Sequence, residues 1–84
     1  MKIKIKPLVE GPGPSEVVVG FVTFEGRNEE VVVDKSLIDG NFLKVGPVLT
    51  TQGDRALIEL PRESASGRIR FWISSAEILK EIAA

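Results

Sequence analysis

Residues 56–73 constrain the fold more than any other stretch, because their two alternating arms fit together as one hairpin. Ala56, Ile58 and Leu60 alternate along the first arm, and Ile69, Phe71 and Ile73 along the second. The polar run Arg62-Glu63-Ser64-Ala65-Ser66-Gly67 joins them. Period-two alternation marks a half-buried strand. Opposing Pro61 to Arg68 sets Leu60 against Ile69, Ile58 against Phe71 and Ala56 against Ile73 on the inner face. The same register pairs Glu59 with Arg70 and Leu57 with Trp72 outside, an opposite-charge pair beside an apolar pair. A one-residue slip would turn the apolar set to solvent, so burial specifies the register.

The rest of the chain points to the same class. Val, Ile and Leu dominate its apolar residues, and the β-branched pair favours strands. With 84 residues, residues 1–84 are expected to form one domain with a modest core. The balance of 43% hydrophobic to 27% charged residues argues against disorder. Cysteine is absent, which excludes disulfides and thiolate metal sites and favours a cytoplasmic setting for a domain this small. No apolar run approaches a membrane span, and the Lys/Ile alternation after Met1 lacks the apolar core of a signal peptide, so no membrane is expected as a partner.

Lys2, Lys4 and Lys6 alternate with Ile3 and Ile5, a strand that Pro7 places at a sheet edge or ends. Lysines there serve as a guard against edge-to-edge aggregation, or as a stripe that tracks phosphates. Gly11-Pro12-Gly13-Pro14-Ser15 is expected to be a linker or wide loop. Residues 17–25 are apolar on both faces, with Gly20 placed to bend or bulge the strand. Gly26-Arg27-Asn28 turns the chain, and residues 29–34 return as its partner. Residues 34–40 predict a helical turn, capped by Asp34 or Ser36 and ended by Gly40. A brief strand over 42–45 precedes a tight hairpin at Gln52-Gly53-Asp54, which keeps Leu49 on the Ile58 side. Ser74-Ser75-Ala76-Glu77 has capping-box form, and Ile78, Leu79 and Ile82 share a helical face, so a short terminal helix or a tight turn with extended residues follows.

The run Arg70-Phe71-Trp72-Ile73-Ser74-Ser75-Ala76-Glu77-Ile78 resembles the end of an SH3-like barrel: strand, helical turn and closing residues. The resemblance covers the last third of the chain at the level of fold. It implies a small SH3-like β-barrel of five to six mostly antiparallel strands with a short C-terminal helical turn. Peptide-binding SH3 domains resemble one another in a tyrosine-rich groove; with no Tyr in this chain, only the shape carries over. An OB-like barrel and a compact β-sandwich fit the same pattern.

Catalytic chemistry has few carriers. Without His, Cys or Tyr the usual base, thiol nucleophile and phenolic acid are missing. Glu29 and Glu30 are adjacent on a strand and point apart. Ser64 and Ser66 sit in a turn with no base nearby in sequence, and the spacing of Asp34, Asp39 and Asp54 matches no calcium loop. No enzyme activity, metal or cofactor is expected. A binding surface is: Arg68, Arg70 and Trp72 occupy alternate positions, with Leu57 across from Trp72, and Trp and Arg are enriched at binding hot spots. Burial of Trp72 and Leu57 against a protein partner or a second copy suits the net charge of −1 and implies a homo-oligomer. Base stacking on Trp72 with Arg68 and Arg70 on phosphates is the nucleic-acid alternative. A structural reading makes Trp72 a lid over the sheet and leaves Arg70 balancing Glu59.

Overall fold

The computed structural model describes residues 1–79. Among the described residues, ten short strands form three antiparallel sheets. The first two strands, β1 (Lys2–Lys4) and β2 (Lys6–Glu10), are split at Ile5, which is buried. Then come β3 (Glu16–Val22), β4 (Asn28–Asp34), β5 (Ile38–Asp39) and β6 (Phe42–Lys44). The chain finishes with β7 (Thr50–Gln52), β8 (Arg55–Glu59), β9 (Arg70–Ser74) and β10 (Ile78–Leu79). The sheet orders are β10-β1-β6-β5, β2-β3-β4 and β7-β8-β9. The all-β, antiparallel class agrees with expectation. Five to six strands closing into a barrel do not: among the described residues the sheets stay separate, because turns and 3₁₀ segments cut the chain into runs of two to seven residues.

An internal two-fold repeat organises these pieces. Positions 40 residues apart play the same part: β1 begins at Lys2 and β6 at Phe42, 3₁₀ turns begin at Lys35 and Ser75, and β5 and β10 begin at Ile38 and Ile78. β1 and β6 pair with each other about Ile3 and Leu43, while β10 and β5 flank them through Ile3–Ile78 and Ile38–Leu43. Two backbone bonds obey the same operation: the Ile5 N–H donates to the Asn41 carbonyl, and the Val45 N–H to the Met1 carbonyl, both at 2.8 Å. Each half then adds its own three-stranded sheet.

Side chains from all three sheets meet in one core. Ile3, Leu43, Ile58, Ile73, Val19, Val31 and Val33 are all under 2% exposed or close to it. Phe21 and Phe71 join the halves edge to face, centroids 5.2 Å apart at 79°. The Cα extents of 38 × 33 × 17 Å describe a slab, thin enough to need only one interior layer.

The register of residues 56–73 is the expected one. Ala56 pairs with Ile73, Leu57 with Trp72, Ile58 with Phe71 and Glu59 with Arg70, and the Leu60 N–H donates to the Ile69 carbonyl at 2.8 Å. Ile69 departs from its expected inward place. It lies ahead of β9, where the bond from Leu60 is the last to reach the strand, and keeps 37% of its surface exposed. Leu49 likewise precedes β7 and is 46% exposed.

Other departures are local. β1 is an inner strand, so its lysines guard no edge; the edge strand with Pro7 is β2. The bulge falls in β2, where the register shifts between Pro7 and Val9, and not at Gly20. Leu8, the extra residue, leans over Gly20, its Cδ1 3.2 Å from where a Cβ would stand. β3 alternates, with Val19 and Phe21 buried and Val22 exposed. The 11–15 segment is a tight hairpin loop in place of a linker: the Gly11 N–H donates to Glu16 O at 3.0 Å and the Glu16 N–H to Gly13 O at 3.2 Å.

Both predicted helical turns are single 3₁₀ turns. Lys35–Leu37 is capped by Asp34, whose Oδ1 accepts from the Ser36 N–H at 2.8 Å. Gly40 (φ +62°) does not end that turn; it shapes the β5–β6 hairpin. Ser75–Glu77 is capped by Ser74, and Ile78 and Leu79 then run extended, so the tight-turn form of the tail is the one found. Ile82 lies outside the described residues.

Candidate interaction face

The outer face of β8–β9 follows from strand alternation. Arg55, Leu57 and Glu59 on β8 and Arg70, Trp72 and Ser74 on β9 point away from the core, opposite to Ala56, Ile58, Phe71 and Ile73. Leu57 and Trp72 are half-buried partners, and Arg70 is exposed. Three of the four residues expected at the site therefore share one face.

Arg68 does not join them. It precedes β9, and its guanidinium lies over the Phe71 ring at 5.2 Å from the centroid. Phe71 and Trp72 point to opposite faces, so Arg68 is drawn to the rim of the core. Glu59 and Arg70 face each other across the ladder without closing an ion pair, and Arg70 has no ion-pair partner among the described residues.

Two residues that periodicity alone did not single out complete the face. The Arg55 guanidinium stacks over Trp72 at 4.6 Å and over Phe24 at 5.6 Å, while Gln52 Oε1 accepts from Arg55 Nη2 at 2.6 Å. The 23–27 turn supplies Phe24, whose backbone N–H donates to the Trp72 carbonyl at 2.7 Å. Phe24 remains 37% exposed. The result is a pinned Phe24–Arg55–Trp72 stack beside Leu57 and Arg70. Arg55 lies at β8's first position, two residues before Leu57 on the same face, whereas Phe24 comes from the other half of the chain.

A second polar cluster also unites distant residues. Glu29, which is 7% exposed, accepts through Oε1 from Ser66 Oγ at 2.8 Å and Ser64 Oγ at 3.3 Å. The two hydroxyls are 2.9 Å apart. With the Ala65 N–H donating to the Glu30 carbonyl at 2.7 Å, these bonds fasten the 62–67 loop along β4. The 23–27 turn does the reciprocal job on β9, so each half's long hairpin grips the last long strand of the other. A carboxylate thus does stand beside Ser64 and Ser66, brought from over thirty residues away. Its hydrogen bonds to both hydroxyls account for it as a fastening.

The lysines form no continuous stripe. Lys2 Nζ bonds Asp39 Oδ2 at 2.6 Å and is largely covered, whereas Lys4 and Lys6 sit in different sheets. That ammonium, first by hydrogen bonding and then by its charge, holds the Asp39 carboxyl below the usual carboxylate range, and Lys44 adds to it. Among the described residues no three acidic groups converge on a point that could hold a metal, and no helix is long and apolar enough to cross a membrane. Comparison of the chain with protein-family models, curated proteins and solved structures returns no match in any of the three.

Proposed function

We propose that this chain is a non-enzymatic protein-interaction module that assembles through the outer face of β8–β9, with a second copy of itself as the first partner. The observation that carries this reading is the Arg55 stack. One guanidinium bridges Trp72 and Phe24 and is itself held by Gln52, so the residue types enriched at hot spots are already fixed in place. A pre-ordered aromatic patch loses little side-chain entropy on docking. Leu57 supplies apolar area beside it, and Arg70 an exposed charge at its margin.

The same stack disfavours the nucleic-acid alternative. A base needs an open ring face, and Arg55 already lies over Trp72. Arg68 is directed to Phe71, and the net charge of −1 supplies no general attraction to phosphate. Sedimentation equilibrium of the wild type and of Arg70→Glu and Leu57→Glu tests the proposal. The wild type should exceed its single-chain mass of 9.1 kDa at high concentration, and each variant should dissociate more readily with its fold intact. A wild type that sediments as one chain at every concentration would remove self-association. Salt-sensitive binding to a single-stranded oligonucleotide would favour the alternative instead.

A further inference from the structure

The two halves differ most usefully on the outer face of their own sheets. In the second half, Glu59 stands opposite Arg70 across the β8–β9 ladder, so both positions carry long side chains. The corresponding cross-strand pair of the first half is Gly20 opposite Glu30. Gly20 removes one side chain from the middle of a three-stranded sheet, and Lys6 pairs with it from the other side. Lys6, Gly20 and Glu30 thus form one row across β2, β3 and β4, with Lys6 and Glu30 two strand spacings, about 10 Å, apart.

The glycine floor lies within a trough of about 740 Å³, a volume in the range of small-molecule sites. Lys6 and Glu30 form its charged walls and Leu8 and Val22 its apolar lining; Glu29 also lines it, with its Oε1 already accepting from Ser64 and Ser66 of the loop that rims it. Leu8 leans over Gly20, its Cδ1 3.2 Å from where a Cβ would stand, and so covers part of the glycine floor with an apolar surface. Neither Lys6 nor Glu30 has an ion-pair partner among the described residues. Leu8 and Val22, at 41% and 49% exposed, remain open to an occupant.

We infer that this trough is a binding site for a free aliphatic α-amino acid, its carboxylate on Lys6, its ammonium on Glu30 and its side chain on Leu8 and Val22. A zwitterion meets both unpaired charges at once. A simple cation would face Lys6 across the trough, and a simple anion would face Glu30. Charge-assisted bonds at both ends then fix the orientation of an apolar body that has no directional contacts of its own. The site lies on the opposite half from the Trp72 face and stands or falls independently of it.

Nitrogen-15 NMR titration of the full chain with leucine is the test, run beside isopentylamine, 4-methylpentanoic acid and N-acetyl-leucine amide. Leucine should produce saturable shifts centred on the Gly20 and Ala65 amides. The amine alone, the acid alone and the blocked residue should each bind about tenfold more weakly or worse, as should leucine to Lys6→Gln and to Glu30→Gln. Both substitutions lie on the surface, and unchanged spectra away from the trough would verify their folds. No saturable shift with leucine would overturn the inference. Equal binding of any of the three comparison compounds, or undiminished binding to both variants, would overturn it as well.

Discussion

Leu43→Ala, read against Ile3→Ala, probes the junction of the two halves. Leu43 is fully buried, pairs with Ile3 across the centre of the β10-β1-β6-β5 sheet and pairs with Ile38 on its other side. The substitution removes three carbons. At about 0.8 kcal/mol per buried methylene-sized group, transfer alone costs about 2.4 kcal/mol. The cavity adds to this, since neighbours held by two ladders relax little, and about 3–4 kcal/mol is expected in all. For a domain of this size each kcal/mol shifts Tm by roughly 4–8 °C, so the loss is about 12–30 °C. Ile3 occupies the equivalent place, is 1% exposed and pairs with Ile78 as Leu43 pairs with Ile38. Its truncation should match within about 1 kcal/mol. Urea denaturation read by far-UV circular dichroism measures both, and an unchanged m-value would show that the loss belongs to the folded state. A cost below about 1 kcal/mol for Leu43→Ala, or one half giving way while the other stays folded, would refute the two-fold account of the core.

Three further outcomes follow from local structure. Glu29→Ala strips the acceptor from the buried Ser64 hydroxyl and should cost about 1–3 kcal/mol, with hydrogen exchange at the Ala65 amide accelerating; unaltered exchange there would contradict the fastening role. Asp34 is held below the usual carboxylate range by the Ser36 N–H and then its hydroxyl, and Asp39 chiefly by Lys2. Their depressed folded values make a stabilising contribution that is present above the ordinary aspartate pKa and is lost as pH falls through the folded one. Urea midpoints followed from pH 7 into acid should therefore converge for the wild type and the Asp34→Asn, Asp39→Asn double variant; a gap that widens in acid would refute the sign. Gly11→Ala brings a Cβ to 2.7 Å from the Glu16 carbonyl carbon and should destabilise, whereas Gly46→Ala meets nothing within 4 Å and should gain about 0.4–1 kcal/mol in thermal melts.

Legibility in the sequence tracked the range of the interactions. The 56–73 register was readable because its two arms alternate and face each other across one loop. The Asp34 and Ser74 caps depend on residues two positions away. Arg68 and Ile69 were misplaced because period two holds only inside the ladder, and β9 begins at Arg70. Pro7 spoke correctly for an edge strand, but the break at Ile5 that puts Lys4 and Lys6 in different sheets carries no turn residue to announce it. The two-fold repeat left little trace in residue identity. Lys4 and Lys44, Pro7 and Pro47, and Ile38 and Ile78 are identical, but Ile3 answers to Leu43 and Asp34 to Ser74, so at most positions the burial and capping roles recur without the residue. Phe24 beside Trp72 and Glu29 beside Ser66 arise from the mutual grip of the hairpins, which emerges only once the halves are assembled.

The proposed interface is tested most directly by the lone tryptophan. Collisional quenching of Trp72 emission should be measured across a dilution series alongside sedimentation mass. Docking through the β8–β9 face predicts that quencher access rises on dilution in step with the fall to single-chain mass, and that Arg70→Glu moves both curves to higher concentration. Quencher access that stays constant while the mass changes would place the interface elsewhere and contradict the proposed face. A constant low access at single-chain mass would make Trp72 the lid of its own sheet.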